Sequence, residues 1–255
     1  MTSEAALCRG GVSERTRHVD LWIARGLTLG PVVLAFPVST LAVFAWGADR
    51  SRTADVLAVI YSVGLFAACT TSLWPLPSLR SWSRFQRIAS LCLLFMVVSY
   101  ATHLTWELGW LVLHESIQAS RDAAWAYPWW AYIDGGDLRY AGSSSTLLTM
   151  EALSVLNGAV GVVGLSLWYR SRHTDPRGLL LCMATAVVHL YSTSLYFGGE
   201  ILDGLPNVDT SSFLDAWFKF GLANAPWIVF PWFVLYWGQR TLRDLSGRTA
   251  EKARP

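Results

Sequence analysis

Residues 88–113 read IASLCLLFMVVSYATHLTWELGWLVL. The run is long enough to cross a bilayer, because a spanning helix needs about 20 predominantly apolar residues. Two ionisable side chains interrupt it, His103 and Glu107. Four residues apart, they project from one face of a helix. A charged group at membrane depth costs about 2.5–3.5 kcal/mol on insertion scales, so a span that keeps such a pair has a use or a partner for it.

The chain on either side repeats this apolar character. Hydrophobic residues make up 53% of the 255 and charged residues 15%. Mean hydropathy is +0.36, whereas a soluble domain averages about 25% charged residues. Spans are predicted over 26–47, 55–74, 88–114, 144–169, 178–201 and 213–238. The expected fold is therefore all-α, a polytopic transmembrane helical bundle. It divides into a cytoplasmic segment 1–25, two N-terminal helices within 26–81, a four-helix region 82–238 and a basic tail 239–255. The long polar leader and the apolar length of the first span argue for a retained anchor over a cleaved signal peptide. Loop 115–143 mixes aromatic and turn-forming residues, as in Tyr127-Pro128-Trp129-Trp130-Ala131-Tyr132 and Asp134-Gly135-Gly136-Asp137, and is expected to be ordered and packed over the bundle.

Charge placement orients the spans. Fifteen of the twenty Lys and Arg residues lie in the amino-terminal segment, the second and fourth loops and the tail. Four lie in the other three loops, and the last is Lys219, early in the sixth span. The positive-inside rule then puts both termini in the cytoplasm, at the endoplasmic reticulum membrane of a eukaryote or the cytoplasmic membrane of a bacterium. A net charge of +2 gives no argument for nucleic acid, and none is expected as a partner. Membrane lipid is, and a homodimer is compatible with such a bundle. Asp215 and Lys219 are i, i+4 and are expected to pair. Trp46, Trp74, Trp82, Trp168 and Trp237 lie near span ends and are expected in the aromatic belts. Cys8, Cys69, Cys92 and Cys182 show no CxxC spacing and read as small buried hydrophobes, not metal ligands or disulfides.

Few strong polar groups remain inside the spans. At 1.5 Å rise per residue, Glu107 and Glu151 lie roughly 11 Å from the non-cytoplasmic side, His103 roughly 17 Å and Asn224 roughly 18 Å. Three helices thus bring two carboxyls, an imidazole and an amide to one layer. A hydrogen-bonded pair that merely glues helices is typically worth about 1 kcal/mol. The other reading is a cavity that moves protons, since a carboxyl removed from water holds a proton more readily and a neighbour can take one away. Two acids exceed what gluing requires, which favours the second. On residues alone, Trp227 reads as packing, although an indole one turn after Asn224 could also face a cation. His189 reads as a satisfied core histidine and Asn157 as a helix–helix contact. Glu200 ends the fifth span near the headgroups and requires no special role.

At these residues the sequence resembles the emopamil-binding protein family, the sterol Δ8-Δ7 isomerases of the EXPERA superfamily. His103-Leu104-x-x-Glu107 with Gly109-Trp110 is similar to that family's HLxxEG stretch. Trp129-x-x-Tyr132 and Gly136-Asp137-x-Arg139-Tyr140 resemble its loop, and Met150-Glu151 its Met-Glu pair. Tyr191, Leu195-Tyr196-Phe197, Glu200 and Asp203-Gly204 resemble its Y…LYFxxExxDG segment, and Asn224-Ala225-x-Trp227 with Pro231 its NAxW segment. The resemblance covers about 82–236 in order. It implies an intramembrane cavity for a sterol or related polycyclic terpenoid. It implies His103, Glu107 and Glu151 as the acid–base set, with Asn224 hydrogen-bonding within it. Trp227 would face a carbocation, and Trp106, Trp129, Tyr132, Tyr140, Ser154, Tyr191 and Tyr196 would contact substrate. The implied activity is an isomerase that shifts a carbon–carbon double bond. The alternatives are a cyclase using the same site on a terpenoid or polyketide alkene or epoxide, and a non-catalytic sterol- or lipid-binding protein. No nucleotide, flavin or metal signature is present, and proton chemistry needs no cofactor. This chain departs from the family pattern in its extra first span, which precedes a five-helix core. It also has Ser154 where Thr is expected, serines at 143–145 in place of an Asp-Asn pair, and Pro226 inside the NAxW segment, where a kink is expected.

Overall fold

The computed structural model describes residues 18–252. The amino-terminal arginines up to Arg17, Cys8 and the last three residues of the tail lie outside them. Eight helices follow one another, with no strand among the described residues: α1 Val19–Phe44, α2 Arg50–Thr70, α3 Arg84–Thr102, α4 Leu108–Ala119, α5 Tyr127–Gly136, α6 Ser145–Arg170, α7 Pro176–Leu202 and α8 Pro226–Lys252. A π-helical turn, His103–Glu107, joins α3 to α4, and a second, Leu214–Leu222, leads towards α8. Six of the resulting segments are long and apolar enough to cross a membrane, and the protein is an integral membrane protein.

Local sequence explains the helix starts. Asp49 accepts the Arg52 amide at the head of α2. Ser83 and Gln86 form a reciprocal capping box at the head of α3, which satisfies two amides the helix itself leaves unpaired. The first span begins at Val19, earlier than the expected residue 26. The reason is Arg25, whose guanidinium reaches Ser90 Oγ at 2.7 Å and so stays hydrogen-bonded inside the helical segment. The basic stretch after 238 continues α8 through Lys252. Residues 115–143 are ordered, as expected, and are mostly helical. Tyr127, Trp130, Ala131 and Ile133 of α5 are buried beneath this cover.

α6 packs on α7, α7 on α8 and α1 on α2. One apolar core lies among α2, α3, α6, α7 and α8, and a second under the α5 cover. Trp46 and Trp74 are exposed, in keeping with an interfacial belt, but Trp168 and Trp237 are not. Both are 4% exposed, with their rings edge to face at 5.9 Å where α6 meets α8. An indole that has another indole to pack against gains more from the core than from the headgroup layer. Cys69, Cys92 and Cys182 are free and buried, and Asn157 bonds the Thr185 carbonyl across α6 and α7.

Lys219 pairs with Asp215 as expected, and the buried ammonium also reaches Asp55 of α2 at 3.2 Å and the Asp134 carbonyl at 3.0 Å. That carbonyl faces Lys219 because α5 breaks at Asp134 and Gly135. Gly135 has φ +86°, a conformation that glycine adopts at little cost. The helix immediately before Pro226 is interrupted at Ala225, where the ring of proline cannot continue the hydrogen-bond ladder.

Candidate active site

The π-helical turn at His103–Glu107 is the centre of the site. Such turns insert an extra residue into a helix and are frequent at functional sites. The i, i+4 pair does share a face: His103 Nδ1 lies 2.5 Å from Glu107 Oε2. His103 is 3% exposed. Its Nε2 lies 2.8 Å from Nε2 of His189 on α7. Ser99 Oγ sits 3.3 Å from the first ring and 3.2 Å from the second, and accepts the Trp227 indole N–H at 2.8 Å. His189 is therefore no isolated core histidine, and its Nδ1 has no partner in the protein. The only sequence signal for it was an ionisable residue inside a span, which is by itself a reason to look.

Glu151 of α6 is 5% exposed. Tyr140 donates its hydroxyl to Glu151 Oε1 at 2.5 Å, and Oε2 has no partner in the protein. Burial holds the Tyr140 hydroxyl well above the usual phenol range, so it remains a donor. A second network runs beside this one. Tyr196 donates to Asp137 Oδ2 at 2.7 Å and lies 2.5 Å from the Tyr132 hydroxyl. Asn224 donates to Tyr132 at 3.1 Å and to the Phe220 carbonyl at 2.8 Å. Asn224 thus belongs with the tyrosines and not with the His103–Glu107 pair. Arg139 grips Asp137 and reaches Glu200 Oε1 at 3.2 Å. Burial alone would lower the pKa of this guanidinium, but its contacts to Asp137 and Glu200 raise it above the ordinary value, and it stays charged. Glu200 is 2% exposed, so it is buried in an ion pair and does not sit among headgroups.

The histidines, Glu107, Glu151, the tyrosines and Asn224 open on one cavity of about 660 Å³, within the range of small-molecule sites. His103, Glu107, Glu151, Asn224 and Trp227 line it, as do Trp106, Trp129, Tyr132, Tyr140, Ser154 and Tyr196. Tyr191 does not: it is 67% exposed on the outer face of α7, two residues from His189, and that half turn points it away from the cavity. The two N-terminal helices add lining that residues alone did not indicate, including Val32 and Phe36 of α1 and Leu57 and Tyr61 of α2.

Gly158 of α6 backs directly on the His103 turn. A Cβ there would fall 2.8 Å from His103 Cβ. Gly158→Leu is expected to destabilise the protein by about 1–3 kcal/mol through overpacking, read as a lower Tm in detergent. An unchanged Tm would mean that α6 does not press on the turn.

Residues 129–238 match the family model described as EXPERA (EXPanded EBP superfamily). This match begins after His103 and Glu107 and contains Glu151, Asn224 and Trp227. Over 149 residues the chain is 30% identical to 3-beta-hydroxysteroid-Delta(8),Delta(7)-isomerase of Rattus norvegicus, covering 57% of this chain and 62% of that protein. It is 29% identical to the protein of the same name from Mus musculus, over 55% and 60% of the two chains. It is 26% identical to protoglabretal synthase of Ailanthus altissima, over 60% of this chain and 67% of the relative. The chain spans about 60% of the length of the curated isomerases that it matches. No solved structure matches it significantly. Over residues 129–238 the chain is thus similar to the EXPERA (EXPanded EBP) superfamily, and its similarity to the curated isomerases extends over little more than half its length.

Proposed function

We propose that this protein is a membrane isomerase that shifts a carbon–carbon double bond in a sterol or related polycyclic terpenoid. The observation that carries this is the pairing of two carboxyl groups with different partners on one largely apolar cavity. Glu151 has a free Oε2, whereas Glu107 is held by the His103 imidazole. Environments that differ in this way assign one carboxyl as acid and the other as base.

In the proposed reaction, Glu151 begins protonated and gives its proton to one alkene carbon, whose π pair forms the new C–H bond. The neighbouring carbon becomes a tertiary cation, shielded from water by the cavity wall and stabilised by π faces and carboxylate. The Glu107–His103 pair takes a proton from an adjacent carbon, and that C–H pair becomes the shifted double bond. The reaction is redox-neutral and uses only protons. Trp227 lines the cavity with its ring 6.1 Å from that of His103, which supports a role in facing the cation. The charge distribution of the loops supports both termini on the cytoplasmic side.

The test uses the purified protein, a Δ8 sterol and heavy water, with products read by mass spectrometry. Deuterium in a Δ7 product is the expected result. Tight sterol binding with no isomer and no deuterium would leave a binding protein in its place. The relative named a synthase supports a second reading, the same proton chemistry directed at cyclisation of another terpenoid. That reading is favoured if such a compound turns over and the sterol does not.

A cationic ligand tests Trp227 separately. A tertiary amine carried on an apolar polycycle mimics the cation. Cation–π attraction in a desolvated site is worth about 2 kcal/mol, so Trp227→Leu is expected to weaken its binding about 30-fold by titration. Equal affinities would show that the indole only packs.

A further inference from the structure

His189 lies on the cavity wall, and the scheme above gives it no task. Its Nε2 is 2.8 Å from His103 Nε2. Two imidazole nitrogens at hydrogen-bond distance need one N–H and one lone pair between them. The other nitrogen of His103 faces the Glu107 carboxylate at 2.5 Å, which calls for an N–H at Nδ1. In the neutral pair, His103 is therefore the Nδ1–H tautomer and accepts at Nε2, and His189 donates from Nε2. The remaining nitrogen of His189, Nδ1, is then bare, and it is the one with no partner. Ser99, fixed by the Trp227 indole, touches both Nε2 atoms and keeps the rings in register.

We propose that His103 and His189 form one proton-sharing unit through their Nε2 atoms, with His189 the positioning residue that holds His103 in the Nδ1–H tautomer against Glu107. When the pair carries one extra proton, the N–H bond at His189 Nε2 breaks and one at His103 Nε2 forms. The charge moves one ring closer to Glu107 and no other bond changes. The groups that face His189 are Phe95, Ser99, Tyr100 and His103 from α3 and the turn that follows it. Tyr100 stacks on the ring, and its hydroxyl is engaged with Thr185. The titratable groups in reach are therefore His103, Tyr100 and, through His103, Glu107.

The link to turnover rests on the isomerase reading, but the pair itself can be tested without it. Protein labelled with ¹⁵N-histidine is examined by NMR in detergent, with the five histidines assigned by single substitutions. The expected result is a ¹⁵N–¹⁵N coupling across the Nε2–Nε2 hydrogen bond and His103 in the Nδ1–H form. His189→Leu should remove the coupling and shift His103 measurably towards the Nε2–H tautomer, with Glu107 alone left to favour Nδ1–H. His189→Gln should restore the Nδ1–H tautomer, because its amide N–H donates in the same place, but not the coupling. Folded wild-type protein without the coupling, or a His103 tautomer unmoved by His189→Leu, would overturn the proposal. In the sterol assay, His189→Leu should lower kcat at least about 10-fold through misorientation of His103, with KM little changed. His189→Gln should recover part of the rate with an altered pH profile. A wild-type rate and pH profile in His189→Gln would also overturn it. Coupling without any sterol turnover would support the pair and remove the isomerase reading.

Discussion

Glu151→Gln is expected to lower conversion of a Δ8 sterol by about 10³-fold, in the middle of the range for loss of a general acid. The substitution is close to isosteric. The Gln side-chain oxygen still accepts the Tyr140 hydroxyl that Glu151 Oε1 now accepts at 2.5 Å. What it lacks is a transferable proton at the position of Oε2, the carboxyl oxygen with no partner in the protein. An amide N–H can donate a hydrogen bond to a ligand there, but it cannot protonate an alkene. The measurement pairs two readouts. Product and deuterium content should fall together, while binding of a neutral sterol should stay within a few fold. A variant that keeps more than about a tenth of the wild-type rate would remove Glu151 from the acid role. Glu107 would then have to supply the proton.

Arg139→Ala should cost about 3–5 kcal/mol of stability, because it strands buried charges. Arg139 forms a two-point contact with Asp137, 2.6 Å at the closer atom. It also reaches Glu200 and lies over the Tyr196 ring at 4.5 Å. The Asp137 side chain is fully buried and that of Glu200 is 3% exposed. With the guanidinium gone, Asp137 keeps the Tyr196 hydroxyl and Glu200 keeps Asn207, but neither has a counter-ion. The expected observation is a large fall in Tm in detergent, with the Tyr132–Tyr196 wall of the cavity loosened. Arg177→Ala is the control, since its pair with Asp175 is exposed and its loss should leave Tm unchanged. Equal behaviour of the two variants would show that the Arg139 cluster adds nothing to the fold.

Much of this protein could be read from its chain because membrane spans are a one-dimensional property. Apolar length and the placement of Arg and Lys are set by the lipid solvent and need no knowledge of neighbours. The His103–Glu107 pair was legible for a related reason, since i, i+4 adjacency is local to one helix. That His103, Glu107 and Glu151 could line one cavity, as they do, was legible because rise per residue is constant.

Rotation of each helix about its own axis is different. A helix in a bilayer can be apolar on its lipid face and on its packed face, so periodicity does not separate the two. Trp168 and Trp237 were therefore expected at the membrane interface and lie in the core, while Tyr191 was expected in the cavity and faces outward. Partner choice across helices is equally non-local. Nothing in the chain tells His189 that it will meet His103, or Glu200 that Arg139 will reach it. Those pairings exist because α3, α7 and the α5 cover close on one another, leaving each buried polar group to bond with whatever polar group the packing brings near. The sequence by itself determined the spans and the carboxyls that lie within them. The tertiary structure decided their partners, and so which carboxyl is held by an imidazole and which keeps a free oxygen for a ligand.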